Sequence, residues 1–459
     1  MTSALAEYFR CPPDLALVGT RNGLSTKDGF FKFGDVIAFG RVAGQAPATY
    51  ATDNLHDVSG HVTAEDGAAV LPFNLGEVAT NLRQERYRQN GYSFLQKTTS
   101  GLAAQCLYYQ LRPFLGVNVR KHLQKLRLSG WNKIPFPRWP VDRSVDALME
   151  SALALTLKTQ GRSSMPFIWF WPEGAPACAM MTHDVEGQEG IDFCGRLMDI
   201  DDAHGIKSAF QLIPEGREEQ WKRTAAQLRG RGFEVNLHDL NHDGRLFADK
   251  ASFLRNARRI NDYTREFGCE GFRSGAMYRE QSWFDAFEFS YDMSVPNAAH
   301  LEPQRGGCCT VMPYFVNNIL ELPLTTAQDY TLFHILNDYS TALWKEQIGI
   351  IREHHGLISV ITHPDYLVSD RERDIYVELL RHLDELRQRD GVWVALPGEI
   401  NRWWRDRQQM TLTADVDGWR IDGPGSDRAR VAYATLDGDR VVYRVEAGRV
   451  TTAPAGAPV

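Results

Sequence analysis

The sequence lacks the features that mark membrane-spanning and exported proteins. Its 459 residues contain no run approaching the ~20 apolar residues that a membrane-spanning helix needs. The N-terminal residues MTSALAEYFRCPPDL contain no basic start followed by an apolar core, which a signal peptide has. These two absences predict a cytoplasmic location.

An excess of basic charge is also missing. The formal net charge is −7 and the isoelectric point is near 6.0, which argues against a dedicated nucleic-acid binder. The seven cysteines are an odd number without zinc-ribbon spacing, and only Cys308 and Cys309 are adjacent. They indicate reduced thiols rather than a disulfide scaffold. The hydrophobic content of 43% and the charged content of 24% are typical of a folded globular chain, here long enough for more than one domain.

Acidic residues are absent from one long stretch, residues 86–141. Aromatic and aliphatic residues alternate there with ten bases: Arg86, Arg88, Lys97, Arg112, Arg120, Lys121, Lys125, Arg127, Lys133 and Arg138. A basic amphipathic stretch is able to lie on an anionic membrane or to bind phosphate groups. We therefore hypothesise that this stretch binds the inner membrane face or a lipid-linked phosphate. Equal co-sedimentation with neutral and anionic liposomes would contradict this. A solvated helix whose bases pair with the acidic remainder of the chain explains the pattern at least as well.

Residues 177–409 alternate short apolar runs with amphipathic stretches. The predicted strands are ACAMMTHDV, KSAFQLIP, FEVNLHDL, GFRSGA, SYDMSV, ILELPLT, LISVITHP and GVWVALP. Apolar strands that alternate with helices indicate a parallel sheet covered by helices. We therefore predict an α/β fold: a distorted (β/α) barrel of seven or eight parallel strands, with its chemistry at the C-terminal ends of the strands.

The flanking regions have a different character. Residues 1–140 mix turn-rich and helical segments and are predicted to form an accessory α/β domain. Residues 141–176 are predicted to form a linker and a lead-in helix, and residues 177–409 the catalytic domain. After residue 409, Asp-Gly steps separate alternating runs, which predicts a small antiparallel β appendage and a tail over 410–459.

Polar residues follow two of the predicted strands closely. Asp184 and Glu186 stand at the end of the apolar run in MTHDVEGQEG, where they could serve as a helix cap or as half of a metal site. His238 and His242 follow in NLHDLNHDG, and their spacing places both imidazoles on one side if the chain turns helical there. Taken alone, an HxxxH pattern is weak support for a metal site.

Two further strand ends carry residues of catalytic types. Arg273 lies in GFRSGAMYRE, and His363 directly precedes a proline in LISVITHPDYL. A lone histidine at a strand end is more often a hydrogen-bonded core residue than a catalytic one. Four such strand ends in one domain nevertheless favour a common site.

This ordered set of motifs resembles the polysaccharide deacetylase family, also known as the NodB-homology domain or carbohydrate esterase family 4. The resemblance covers about residues 177–404. It implies a distorted (β/α) barrel that removes N-acetyl groups from amino sugars with one divalent metal ion. Zinc is favoured, with cobalt, nickel or another transition metal as alternatives.

The resemblance also implies roles for individual residues. They are Asp184 as general base, Glu186, His238 and His242 as metal ligands, Arg273 as partner of the base, His363 as general acid, and Asp329 as the carboxylate that tunes the acid. The family's Thr-Phe-Asp-Asp is replaced here by THDVE, so the metal-binding and base roles of Asp184 and Glu186 could be exchanged. Its Arg-x-Pro-Tyr is replaced by RSGAMY, which leaves the sugar specificity open.

The sequence thus predicts a metal-dependent hydrolase of carbon–nitrogen amide bonds that deacetylates an amino sugar in a cell-surface glycan or its precursor. One alternative is hydrolysis of a small, cyclic non-sugar amide. The other is a non-catalytic module that retains the fold and binds glycan.

Overall fold

The computed structural model describes residues 3–90, 128, 130–416 and 418–446. Its α-helices are α1 (Ala4–Phe9), α2 (Leu75–Arg83), α3 (Ser144–Thr159), α4 (Gln188–Ala203), α5 (Glu218–Gly230), α6 (Lys250–Phe267), α7 (Ala342–Glu353), α8 (Asp370–Asp390) and α9 (Pro397–Gln409). Its strands before the central sheet are β1 (Val18–Thr20), β2 (Gly29–Phe33), β3 (Val36–Gly40), β4 (Thr63–Glu65), β5 (Ala68–Leu71) and β6 (Ser164–Ile168). The central strands are β7 (Cys178–Val185), β8 (Ala209–Leu212), β9 (Glu234–His238), β10 (Gly271–Arg273), β11 (Tyr291–Asp292), β12 (Tyr314–Val316), β13 (Ile319–Glu321), β14 (Leu357–Thr362) and β15 (Trp393–Val394). The C-terminal strands are β16 (Thr411–Asp415), β17 (Gly418–Asp422), β18 (Val431–Asp437) and β19 (Arg440–Val445).

The central sheet has the order β12-β13-β11-β10-β9-β8-β7-β14. Every pair in it is parallel except β12 with β13. Strand β15 pairs in parallel with the first half of β7, and β8 pairs in parallel with the second half. The chain after β13 returns to β14, where the Thr326 N–H donates to the Ser359 carbonyl at 3.3 Å. The predicted α/β fold, a distorted (β/α) barrel, is therefore confirmed.

Local sequence explains most of these elements. Every residue of β7 is buried, as expected for a central parallel strand, and the eight predicted strands correspond to β7–β11 and β13–β15. Helix α6 begins with a side-chain cap from Asp249 and ends at Gly268, which has a left-handed φ of 59°. The amphipathic stretch LFHILNDYSTALWKEQIGIIREHHG does not form one continuous helix. A π-helical turn (Thr331–Leu336) ends at Asn337 in the left-handed conformation, and α7 begins only at Ala342.

The flanking regions pack on the N-terminal side of the barrel strands. One large apolar cluster joins α1, β2, α3, β6 and β18 with the first residues of β7 and β14. The C-terminal strand β18 pairs with β19 on one edge and with β6 on the other. The predicted domain boundaries remain a prediction. The tail after residue 446 and most of the basic stretch lie outside the described residues.

The six described cysteines are free and buried. No helix in the described part of the chain is long and apolar enough to cross a membrane.

A buried ion pair joins the segment after α2 to the barrel. The Arg279 Nε donates to Glu85 Oε2 at 2.7 Å, its Nη2 contacts Oε1, and the Gly307 N–H donates to Oε1 at 2.6 Å. Burial alone would raise the pKa of the Glu85 carboxyl, but the charge of Arg279 more than offsets this and the pKa lies below its ordinary value. Glu85 is therefore charged in the folded chain at neutral pH.

We expect the substitution Glu85→Gln to lower the free energy of unfolding by about 3–5 kcal/mol at pH 7, because Arg279 would be buried without a counter-charge. A depressed carboxyl pKa stabilises the fold above the unfolded value, near about 4.3, and this contribution is lost as pH falls through the folded-state value. The difference between the two proteins should therefore shrink in acid. Urea unfolding at pH 7 and at pH 3.5 measures it. The control is Glu77→Gln, whose exposed pair with Arg41 should contribute less than about 1 kcal/mol. Equal losses in the two variants would contradict the prediction.

Candidate active site

The register of the central sheet places the predicted site residues together. His183 pairs with Thr362, so Asp184 and His363 leave neighbouring strands at the same level. Arg273 on β10 pairs with His238 on β9, and β8 lies between β9 and β7. All four lie at the C-terminal end of the barrel, as the sequence predicted.

Asp184 is buried against Arg273. The Arg273 Nη1 donates to Asp184 Oδ1 and to the Thr182 hydroxyl, both at 2.8 Å, and its Nε donates to the Met293 carbonyl at 3.0 Å. Burial works to raise the pKa of the Asp184 carboxyl, but the charge of Arg273 outweighs it and the pKa is lowered. Asp184 is therefore ionised and held in one orientation.

Glu186, His238 and His242 bring three donor atoms together. Glu186 Oε1 lies 2.9 Å from His242 Nε2 and 3.7 Å from His238 Nε2, and the three donor atoms lie within 4.8 Å of one another. The His238 Nδ1 is 3.1 Å from the Arg273 carbonyl, which fixes the tautomer with Nδ1 protonated. Its Nε2 is buried without a hydrogen-bond partner. A lone pair on a buried nitrogen that faces a carboxylate and a second imidazole fits a divalent metal ion.

His238 and His242, the two candidate metal ligands, are brought together without a helical turn. The chain does not turn helical after His238, because Asp239 and His242 adopt left-handed conformations with φ of 56° and 57°. The Asp239 carboxylate accepts from the N–H of Leu240 at 2.7 Å and of Gly275 at 3.2 Å. The left-handed conformations of Asp239 and His242, with the buried Asp239 carboxylate bound to two N–H groups, thus bring the His242 imidazole close to that of His238.

His363, which directly follows β14, forms a buried pair with Asp329. The His363 Nδ1 lies 2.7 Å from Asp329 Oδ1, and the His363 N–H donates to Oδ2 at 2.6 Å. Burial lowers the pKa of the imidazole, but the Asp329 carboxylate more than offsets this and raises it to about 10. The His363 Nε2 lies 3.7 Å from Glu186 Oε1, so the protonated ring faces the metal-donor group.

His183 does not face this group. Its Nδ1 lies 2.9 Å from the Thr362 hydroxyl and its Nε2 lies 3.1 Å from Asp201 Oδ2. Asp201 also accepts from the Ser208 hydroxyl at 2.6 Å and from the Tyr376 hydroxyl at 2.5 Å. This fully buried network fastens β7 to β14 beneath the site.

Sequence reasoning missed Asp365, which fixes the loop that carries Glu186. Its carboxylate accepts from the N–H of Glu186 and Gly187 at 3.4 Å and from that of Gly190 at 3.1 Å. A Cβ atom on Gly187 or Gly190 would lie 2.3 or 2.2 Å from an Asp365 oxygen. The spacing of the two glycines in EGQEG was the available signal for this close approach.

We expect Gly190→Ala to weaken zinc binding by about 10–100-fold, since the new methyl group would displace Asp365 and with it the Glu186 loop. A stability cost of about 1–3 kcal/mol should accompany it. A zinc-competition titration measures the affinity. The matched control is Gly195→Ala in the same helix, where a Cβ would meet nothing within 4 Å. That change should leave zinc affinity unaltered and stabilise the helix by up to about 1 kcal/mol. Equal zinc affinity in both variants would refute the role of Asp365.

An open cleft of about 470 Å³ leads to the donor atoms. Its lining residues are Glu186, Gly187, Ile213, Glu215, Arg217, Asn241, His242, Asp365 and Tyr366. A ligand in this cleft would reach Glu186 and His242 directly.

Neither a protein-family model nor a curated protein sequence matches the chain. Several solved structures are similar to about half of this chain. A Mycobacterium smegmatis protein assigned to the polysaccharide deacetylases is 18% identical with a TM-score of 0.42, over 52% of this chain and 93% of its own. The PuuE allantoinase is 13% identical with a TM-score of 0.41, over 51% and 92%. A carbohydrate esterase family 4 pseudoenzyme from Bacillus anthracis is 14% identical with a TM-score of 0.31, over 49% and 65%. Polysaccharide deacetylases are among the structural neighbours of this chain.

Proposed function

We propose that this protein is a metal-dependent amide hydrolase that removes the N-acetyl group of an amino sugar in a cell-surface glycan or its precursor. The observation that supports it most is the meeting of three metal-donor atoms, an ionised carboxylate and a protonated imidazole at the end of one cleft. A packing role alone does not require these groups to converge.

Glu186, His238 and His242 would hold the metal ion. Two imidazoles and one carboxylate are a usual set for zinc in hydrolytic sites, with other positions left for water and substrate. Asp184 is less suited to this role, because Arg273 already holds its Oδ1, whereas Glu186 Oε1 lies 2.9 Å from His242 Nε2. A bound ion would acidify a water molecule and polarise the amide carbonyl.

Asp184 would act as the general base. Its carboxylate lies beside the donor group without being the closest carboxylate to either imidazole, so it is placed to accept a proton from the attacking water. Arg273 keeps the carboxylate ionised and prevents it from rotating.

His363 would act as the general acid. The bond from its Nδ1 to Asp329 leaves the protonated Nε2 directed at the site, where it would donate to the departing amide nitrogen. Base and acid stand on adjacent strands, β7 and β14, so both would reach one scissile bond from the same end of the barrel.

The decisive experiment combines metal analysis with acetate release. We expect the purified protein to bind one divalent ion, to lose activity on chelation, and to regain it with zinc, cobalt or nickel. The substrates would be N-acetylglucosamine oligosaccharides, with a cyclic amide such as allantoin as the alternative. His238→Ala should weaken zinc binding by at least about 10-fold and abolish acetate release, because a ligand is lost. If the protein hydrolyses the cyclic amide but not the oligosaccharides, its substrate is a cyclic amide rather than an acetylated sugar. Absence of both metal and hydrolysis would favour the non-catalytic glycan-binding module.

A further inference from the structure

We propose that Arg217 binds an anionic group of the substrate, so that the protein acts on an N-acetylated sugar carrying a carboxylate or phosphate near the scissile amide. This inference rests on the proposed function and assigns a substrate class to the same cleft.

Arg217 lies beside the metal-donor group. It precedes α5, on the segment that follows β8, and its half-buried side chain lines the cleft together with Glu186, His242 and Tyr366. Its Nη1 donates to the Glu186 carbonyl at 2.9 Å. One nitrogen of the guanidinium is thus hydrogen-bonded to the backbone of Glu186, a proposed metal ligand.

The charge of Arg217 has no acidic partner in the described part of the chain. No carboxylate oxygen there forms an ion pair with it, whereas Glu215 in the same cleft pairs with Arg259. Asp365 is engaged by three backbone N–H groups. Among the described residues that line the cleft, Arg217 is the one lysine or arginine.

A guanidinium that lines an open cleft without an ion pair is available to a ligand of opposite charge. The planar guanidinium presents parallel N–H donors that match the oxygens of a carboxylate or a phosphate. The bond to Glu186 occupies a single nitrogen, and the remaining donors face no acceptor of the described chain. A neutral hydrogen-bond donor would be enough to bind the Glu186 carbonyl. The positive charge of Arg217 therefore points to an anionic ligand.

The test compares binding and turnover of three sugars by the zinc-loaded protein. They are N-acetylglucosamine, which is neutral, N-acetylmuramic acid, which carries a carboxylate, and N-acetylglucosamine 6-phosphate. We expect the wild type to bind at least one anionic sugar about 10–100-fold more tightly than the neutral one, as charge-assisted hydrogen bonds allow. Arg217→Gln should abolish that preference while changing the Kd of the neutral sugar less than about 3-fold. The anion that is preferred identifies the substituent.

Two controls separate the alternatives. Arg223→Gln, on the exposed face of the same helix, should retain the preference. A glutamine amide retains a neutral donor for the Glu186 carbonyl, so the zinc affinity of Arg217→Gln should stay close to that of the wild type. A wild type without preference for either anion would overturn the inference, and so would equal losses for neutral and anionic sugars or a parallel loss of zinc. An Arg217-dependent preference without acetate release would sustain it and reject the deacetylase function instead.

Discussion

Asp184→Asn is expected to lower kcat/KM for acetate release by about 10³-fold or more, while zinc binding is retained. The asparagine cannot accept a proton from water, and general-base catalysis contributes about 10²–10⁴-fold. The metal donors Glu186, His238 and His242 are left intact, so the loss should fall on kcat rather than on KM. Initial rates of acetate release, with zinc content measured on the same samples, give the result.

The control for this variant is Asp243→Asn, in the loop that carries His242. Asp243 is exposed and accepts only from the Arg245 N–H. Its substitution should change kcat/KM less than about 3-fold, in line with a surface change. Circular dichroism is required as well, because Asp184→Asn leaves the Arg273 charge buried without its partner. A folded, zinc-loaded Asp184→Asn protein with activity within tenfold of the wild type would show that Asp184 is not the base.

His363→Gln is expected to lower kcat by about 10²–10⁴-fold, since the leaving nitrogen would lack its proton donor.

The substitution Asp329→Asn tests the role of His363 through the pH dependence of kcat. In the wild type the imidazole, whose pKa is raised to about 10, remains protonated through neutral pH. Activity that needs the protonated ring should therefore fall as pH rises through about 10. Without the Asp329 charge the pKa of the imidazole falls, so the alkaline limb of the kcat profile should move to lower pH. An unchanged alkaline limb in Asp329→Asn would reject His363 as the acid.

The four strand ends were predictable because each depends on local sequence. An apolar run that stops at a charged residue predicts both a buried strand and the end of that strand. β7 ends one residue after Asp184, and β14 ends directly before His363. Parallel pairing then brings these ends together without further information.

The features of the site that could not be predicted from the sequence depend on contacts between segments that are distant along the chain. Asp365 reaches the Glu186 loop only once β14 lies beside β7, and Arg217 reaches the Glu186 carbonyl only once β8 lies on the other side of β7. The left-handed turn at His242 is disfavoured for a residue with a Cβ, so local preference pointed instead to a helical turn. The short strand β12 gave too few residues for a period to be recognised.

The pairing of β6 with β18 has a consequence for how the chain is made. Residues 164–168 leave the ribosome long before residues 431–435, the strand that completes their sheet. Until synthesis ends, β6 presents an open edge and the apolar cluster around it stays incomplete. A chain that stops at residue 409 would keep every proposed catalytic group yet retain that exposed edge permanently. We therefore expect soluble production of the barrel to require β18, far from the proposed catalytic groups.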